Sequence, residues 1–127
     1  MQDKILYEYS VIRIVPRVER EEFINAGILI YSKKTNSLLV KTFFNQEKFN
    51  TYHTKLDAEE VKLNLKSFEL IAAGNPEGGP IAKMETAERF RWMTAVRSSC
   101  IQTSRPHPGF SENLEETLNR LFEELVL

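Results

Sequence analysis

The run Tyr7-Glu8-Tyr9-Ser10-Val11-Ile12-Arg13-Ile14-Val15 constrains the fold of this chain more than any other feature. It is rich in β-branched and aromatic residues and ends at Pro16, so it reads as a strand. Alternation places Tyr7, Tyr9, Val11, Arg13 and Val15 on one face, and Ser10, Ile12 and Ile14 on the other. Residues 26–32 and 38–44 read as a second and a third strand. Between them, Lys33-Lys34-Thr35-Asn36-Ser37 supplies turn chemistry, because asparagine tolerates left-handed backbone angles. The three strands form an antiparallel meander. Residues 17–23 join the first two as a charged connection with room for one helical turn.

Asp57 and Glu60 have the spacing of a capping box, in which each side chain satisfies a backbone N–H of the other. Val61, Leu65, Phe68 and Ala72 follow at helical spacing, and Gly74 stops the helix. The Gly/Pro cluster Asn75-Pro76-Glu77-Gly78-Gly79-Pro80 is too short for an interdomain linker. Residues 85–93 read as a short helix rather than an arginine-bearing strand. Residues 98–103 read as a fourth strand, and Arg105-Pro106-His107-Pro108-Gly109 as a rigid loop. The C-terminal helix begins near Ser111 or Asn113, with Leu114, Leu118, Leu121, Phe122 and Leu125 on one face. The expected fold is α+β, a single domain over residues 1–127. It has a small, mainly antiparallel sheet of about four strands covered by two or three helices.

Composition removes several function classes. The 127 residues match one domain, since domains commonly run to roughly 100–150 residues. An aromatic content of 10% argues against disorder. Cys100 is the sole cysteine, so neither an internal disulfide nor a cysteine-built zinc site is available. Apolar runs such as residues 27–31 fall far short of the roughly 20 residues that span a bilayer. The opening Met1-Gln2-Asp3-Lys4 lacks a positive patch followed by an apolar stretch, so no signal peptide is expected. A cytoplasmic protein without membrane contact is the expectation.

The net charge of -1 hides a segregation. Residues 1–56 carry +3 and residues 84–110 carry +2, all four bases of the latter being arginine. Residues 57–83 carry -2 and residues 111–127 carry -4. The acidic segments are the two best helix candidates, and the bases fall mostly on strand-like and loop-like stretches.

Familiar chemistries find little to work with. Gly78-Gly79 has neither the P-loop's Lys-Ser/Thr nor a third glycine at dinucleotide-binding spacing. His53 and His107 are far apart, and neither belongs to a metal-ligand motif. No metal or cofactor is expected. Cys100 in a strand reads as an inert thiol rather than a nucleophile. Glu115-Glu116 and Glu123-Glu124 read as the solvated face of a helix.

The arginines are less easily dismissed. Arg13 shares a strand face with Tyr9 and Val11, so burial of that face demands a partner for its charge. Glu21, Glu22 or loop carbonyls would supply one. Arg17 and Arg20 flank a charged turn. Gly27 beside Asn25 suits a bulge or a close backbone approach at the start of a strand, and a turn cap explains Asn25 as well as a ligand does. Arg89, Arg91, Trp92 and Arg97 form a second cluster, with Arg105 and His107 beyond it. Arginine's planar fork pairs with phosphate or carboxylate at two points and stacks on aromatic faces. A pI near 6.2 and the lack of a recognition helix or stacking pattern argue against nucleic acid. An acidic protein partner or a phosphorylated ligand suits the cluster equally well.

Two blocks resemble a bacterial family known as domain of unknown function 3037. One runs from Tyr7-Glu8-Tyr9-Ser10-Val11-Ile12-Arg13-Ile14-Val15-Pro16-Arg17 through Glu21-Glu22-Phe23-Ile24-Asn25-Ala26-Gly27-Ile28-Leu29. The other runs from Glu88-Arg89-Phe90-Arg91-Trp92-Met93-Thr94-Ala95 through Ser98-Ser99-Cys100-Ile101-Gln102-Thr103-Ser104, and the end, Leu118-Asn119-Arg120-Leu121-Phe122-Glu123-Glu124-Leu125-Val126, is similar to the family's closing helix. A departure is Ala95-Val96-Arg97, where the family's pattern has a proline before the arginine. The resemblance implies no established activity. It implies a gene neighbourhood with a HipA-like kinase, hence an accessory or regulatory role such as that of a toxin–antitoxin accessory. By position it marks Arg13, Arg17, Glu22, Asn25, Gly27, Arg89, Arg91, Arg97 and Gln102 as the recurring polar residues.

The expected function is therefore non-catalytic binding or regulation through an arginine-rich polar surface, with Arg13, Arg17, Glu22, Asn25, Arg89, Arg91, Arg97, Gln102 and His107 as candidate binding residues. The alternative is a small enzyme acting on a phosphate-containing substrate or nucleic acid. In that reading Arg13, Arg89 and Arg97 clamp the phosphate, and His107 or Glu22 serves as base.

Overall fold

β1 (Ile5–Ile14) organises the structure, because it is long, apolar on both faces and paired along both edges. A computed structural model describes residues 4–95 and 99–127. On one side β1 pairs antiparallel with β2 (Ile24–Ser32), which pairs with β3 (Ser37–Thr42). The meander expected from the alternating pattern is present. On its other side β1 pairs antiparallel with β4 (Ile101–Thr103) through Ile12–Ile14 and with β5 (His107–Ser111) through Ile5–Tyr9.

β5 corrects the reading of residues 105–109 as a rigid loop. Pro108 stands opposite Glu8 and Gly109 opposite Tyr7, within a strand that pairs on one side alone. An edge strand tolerates proline, since the missing N–H points away from the ladder. The fourth strand is shorter than expected: it begins at Ile101, Cys100 lies just before it, and Ser98 is outside the described residues.

Both faces of the sheet are covered. On one, Ile12, Ile14, Leu29 and Leu38 pack with α2 (Ala58–Ala73) and α3 (Thr86–Thr94) through Val61, Leu65, Phe68, Phe90 and Met93. Phe49 of the short α1 (Gln46–Asn50) joins this cluster. On the other, Tyr7, Val11, Ile28 and Ile30 meet Leu114, Leu118, Leu121 and Phe122 of α4 (Leu114–Leu125). Residues 85–93 are thus largely helical, and the two acidic helices cover opposite faces. Ile12 and Leu29 are fully buried, so truncating either to alanine costs about 2–5 kcal/mol.

The helix ends follow local rules, with one difference. The Asp57 carboxylate accepts from Glu59 N rather than Glu60 N, and among the described residues no reciprocal bond from Glu60 closes a capping box. At the other end Gly74 takes the left-handed conformation (φ 70), with Gly74 N donating to Ile71 O and Asn75 N to Leu70 O. Asn113 caps α4 by accepting from Glu116 N. Among the described residues no helix is long and apolar enough to cross a membrane.

Candidate functional site

A bulge fixes the geometry of the site. Ile12 stands opposite Gly27, but Arg13 stands opposite Asn25, so Ala26 is the extra residue on β2. Gly27 permits this, because a Cβ there would stand 2.7 Å from the Lys41 carbonyl oxygen. The sequence expectation of a bulge or close approach at Gly27 holds on both counts. Across β1, Arg13 also stands opposite Gln102 of β4. Residues directly opposite share a face. Asn25, Arg13 and Gln102 therefore form one polar row over β2, β1 and β4, on the face that α4 covers.

Two members of this row are held by the protein. Asn25 Nδ2 donates to Leu125 O at 2.9 Å, tying the row to the end of α4. Gln102 Nε2 donates to Ser99 O at 3.0 Å. Arg13 is different. Its guanidinium carbon lies 4.1 Å from the centroid of the Phe23 ring, a cation–π stack. Among the described residues it makes no ion pair, and Nε, though buried, has no hydrogen-bond partner. The expected bridge to Glu21 or Glu22 is not formed, since Glu22 Oε1 accepts from Arg20 Nε at 2.6 Å. The Oδ1 atom of Asn25 is likewise buried and unpartnered among the described residues.

Arg17 and Glu22 lie beside the row at the end of β1. With Pro16, Arg20, Tyr52 and His53 they line a cleft of about 380 Å³. One wall is the segment after α1, anchored by Thr54 Oγ1 donating to Pro16 O at 2.8 Å. Tyr52 also lines the hollow that holds Phe23 and Asn25, so cleft and row adjoin. His53 (φ 48), which lines this cleft, and Glu21 (φ 54), between its lining residues Arg20 and Glu22, take left-handed backbone conformations, an uncommon state for residues other than glycine. Arg17 Nε donates to Glu19 Oε1 at 3.1 Å. Glu19's own backbone N–H, and then the Arg17 guanidinium, hold its carboxyl below the usual carboxylate range.

The remaining candidates lie elsewhere. Arg89 sits on the opposite side of the sheet, where Nη1 donates to Ile71 O at 2.7 Å and to Ala72 O at 2.8 Å, and Nε to Met84 O at 3.0 Å. It closes the end of α2, where a cation also meets the negative end of the helix dipole. Arg91 is exposed on a separate groove with Leu6, Tyr31, Lys33 and Lys34. His107 is exposed and stacks on Tyr9, ring centroids 5.3 Å apart, further along the face of Arg13. Arg97 lies outside the described residues. Arg13 and Arg89, two members of the proposed three-arginine clamp, do not converge. Among the described residues no group of three His, Cys, Asp or Glu side chains could hold a metal ion.

Sequence reasoning overlooked Phe23, Tyr52 and His53 as site residues. Tyr52 and His53 come from a segment far along the chain, with no motif linking them to β1. Phe23 carried one usable signal, an aromatic ring two residues before Asn25, at the strand start where the sequence suits a bulge.

The arrangement suits anion binding. A stacked guanidinium without a carboxylate retains its fork for a carboxylate or phosphate. No curated protein and no solved structure matches the chain. A family model matches residues 9–126, and the chain belongs to the family described as "Protein of unknown function (DUF3037)".

Proposed function

We propose that this domain is a non-catalytic binding module, and that it holds an anionic group of a partner protein against Arg13. One observation carries the reading: a half-buried guanidinium stacked on Phe23 has no ion pair among the described residues. An unpaired charge withdrawn from water is costly, and a partner's carboxylate or phosphate offsets that cost. Asn25 and Gln102, already tied to the backbone, frame the site. The adjoining cleft, where Arg20 is paired with Glu22, gives a partner a polar surface to rest on beside the row.

The HipA-like kinase neighbour implied by the family resemblance is the partner to test first. Titration calorimetry of that kinase against the purified domain is expected to show binding. Arg13→Gln is expected to weaken it by about tenfold or more, as for truncation of a buried charge contact. Unchanged affinity in Arg13→Gln overturns the reading. So does a protein that fails to bind the neighbour and instead hydrolyses a nucleotide. The phosphate-clamp alternative is not favoured, because Arg13 and Arg89 serve opposite faces of the sheet.

A further inference from the structure

We propose a second docking surface, beyond the Arg13 site: the open part of the sheet face beside α3 receives an acidic amphipathic helix from a partner protein. Its floor is apolar and exposed. Leu6 and Phe110 stand directly opposite each other on β1 and β5, and retain 51% and 67% of their surface. Leu6, Tyr31 and Pro108 line a groove of about 750 Å³, and Phe110 adjoins it as the cross-strand neighbour of Leu6. Large exposed apolar side chains gathered on rigid strands, rather than scattered singly, mark interaction surfaces.

The rim selects the sign of the partner. Lys33 and Lys34 from the β2–β3 turn and Arg91 from α3 surround the floor, against the one acid Glu8. None of the three cations makes an ion pair among the described residues. An apolar centre with a cationic rim complements a segment that is apolar on one side and acidic along its flanks.

The layer architecture selects a helix. α2 and α3 cover the Ile12 and Ile14 half of this same face, and α4 covers the opposite face. Leu6 continues the alternation of Ile12 and Ile14 on this side of β1, and Tyr31 already stacks on Phe90 of α3 with centroids 4.9 Å apart. A helix laid beside α3 would extend the existing layer over Leu6 and Phe110, the ordinary way to bury a sheet face. An apolar floor does not match the phosphate backbone of a nucleic acid.

The test uses fluorescence anisotropy with labelled synthetic peptides and the full chain. One peptide is an amphipathic helix with leucines along one face and glutamates on its flanks. A second replaces the glutamates by lysines, a third scrambles the first, and an RNA oligonucleotide is included. The glutamate peptide is expected to bind in a salt-sensitive manner. Phe110→Ser and Arg91→Glu are each expected to weaken it by about tenfold or more. Both residues are exposed, so folding is not at stake. Arg13→Gln is expected to leave this binding unchanged, which separates the surface from the Arg13 site. The proposal is overturned by no binding of the glutamate peptide, by equal binding of the lysine or scrambled peptide, or by preference for RNA. It is also overturned if neither variant has an effect, or if sedimentation shows a dimer that Phe110→Ser dissociates.

Discussion

Gly27 and Lys41 meet so closely that a single methyl group at Gly27 would stand 2.7 Å from the Lys41 carbonyl oxygen. The obstacle is backbone, which cannot swing aside like the end of a side chain, and Ile12 and Thr42 crowd the same point. Gly27→Ala is therefore expected to destabilise the fold by about 1–3 kcal/mol, read as a lower urea midpoint with unchanged slope. The bulge beside it sets Asn25 against Arg13, so the variant is also expected to weaken partner binding. A Gly27→Ala protein as stable as the parent would show that β3 moves away freely.

Arg89 is a different kind of arginine from Arg13, although both lie in the family-like blocks. Its guanidinium donates to Ile71 O, Ala72 O, Met84 O and Thr86 Oγ1. Arg89→Ala leaves carbonyls at the end of α2 without donors and is expected to cost about 2 kcal/mol. Arg89→Lys recovers part of this at most, since an ammonium cannot reproduce the planar fork. Thermal unfolding checks both. Binding measured on the folded fraction is expected to be unchanged, and a selective loss of binding would return Arg89 to the site.

The contrast shows what the sequence could carry. β1, the meander, the apolar faces of α2 and α4 and the bulge at Gly27 were legible because period and turn chemistry are local. β5 was not, because Pro108 and Gly109 signal a loop unless the strand is known to lie at an edge. Within the candidate site, Arg13 and Asn25 were legible as polar residues on or beside strands, whereas Gln102 was marked by the family resemblance alone. Their alignment in one row depends on register across three strands, which no local pattern encodes. The same holds for Arg89, whose role was hidden because three of its four acceptors are backbone carbonyls, identical at every position of the chain.

Glu19 offers a pH test of the charged turn. Its carboxyl is held below the usual range first by its own backbone N–H and then by Arg17. A depressed carboxyl pKa contributes stability that is present above the unfolded value and lost as pH falls through the folded one. Glu19 is fully exposed, so the expected effect on stability is small. NMR titration of Glu19 is expected to give a midpoint below that of an unstructured glutamate. Arg17→Gln is expected to raise that midpoint only in part, because the backbone donor remains. A full return to the ordinary value would assign the whole effect to Arg17.

Phe23 decides whether the stack on Arg13 serves binding or merely fills space. The ring is 43% exposed, so replacing it removes little core, while the guanidinium 4.1 Å above it loses its platform. A partly exposed cation–π contact contributes about 0.5–1 kcal/mol and also restricts where the fork points. Phe23→Ala is expected to weaken partner binding in the same direction as Arg13→Gln, with a change in unfolding free energy of no more than about 1 kcal/mol. Combined, the two changes are expected to be less than additive, because once the guanidinium is gone the ring has nothing to orient. A calorimetric double-mutant cycle measures this coupling directly. Strict additivity would mean that the ring and the guanidinium meet the partner independently, and the stacked geometry would then have no part in recognition.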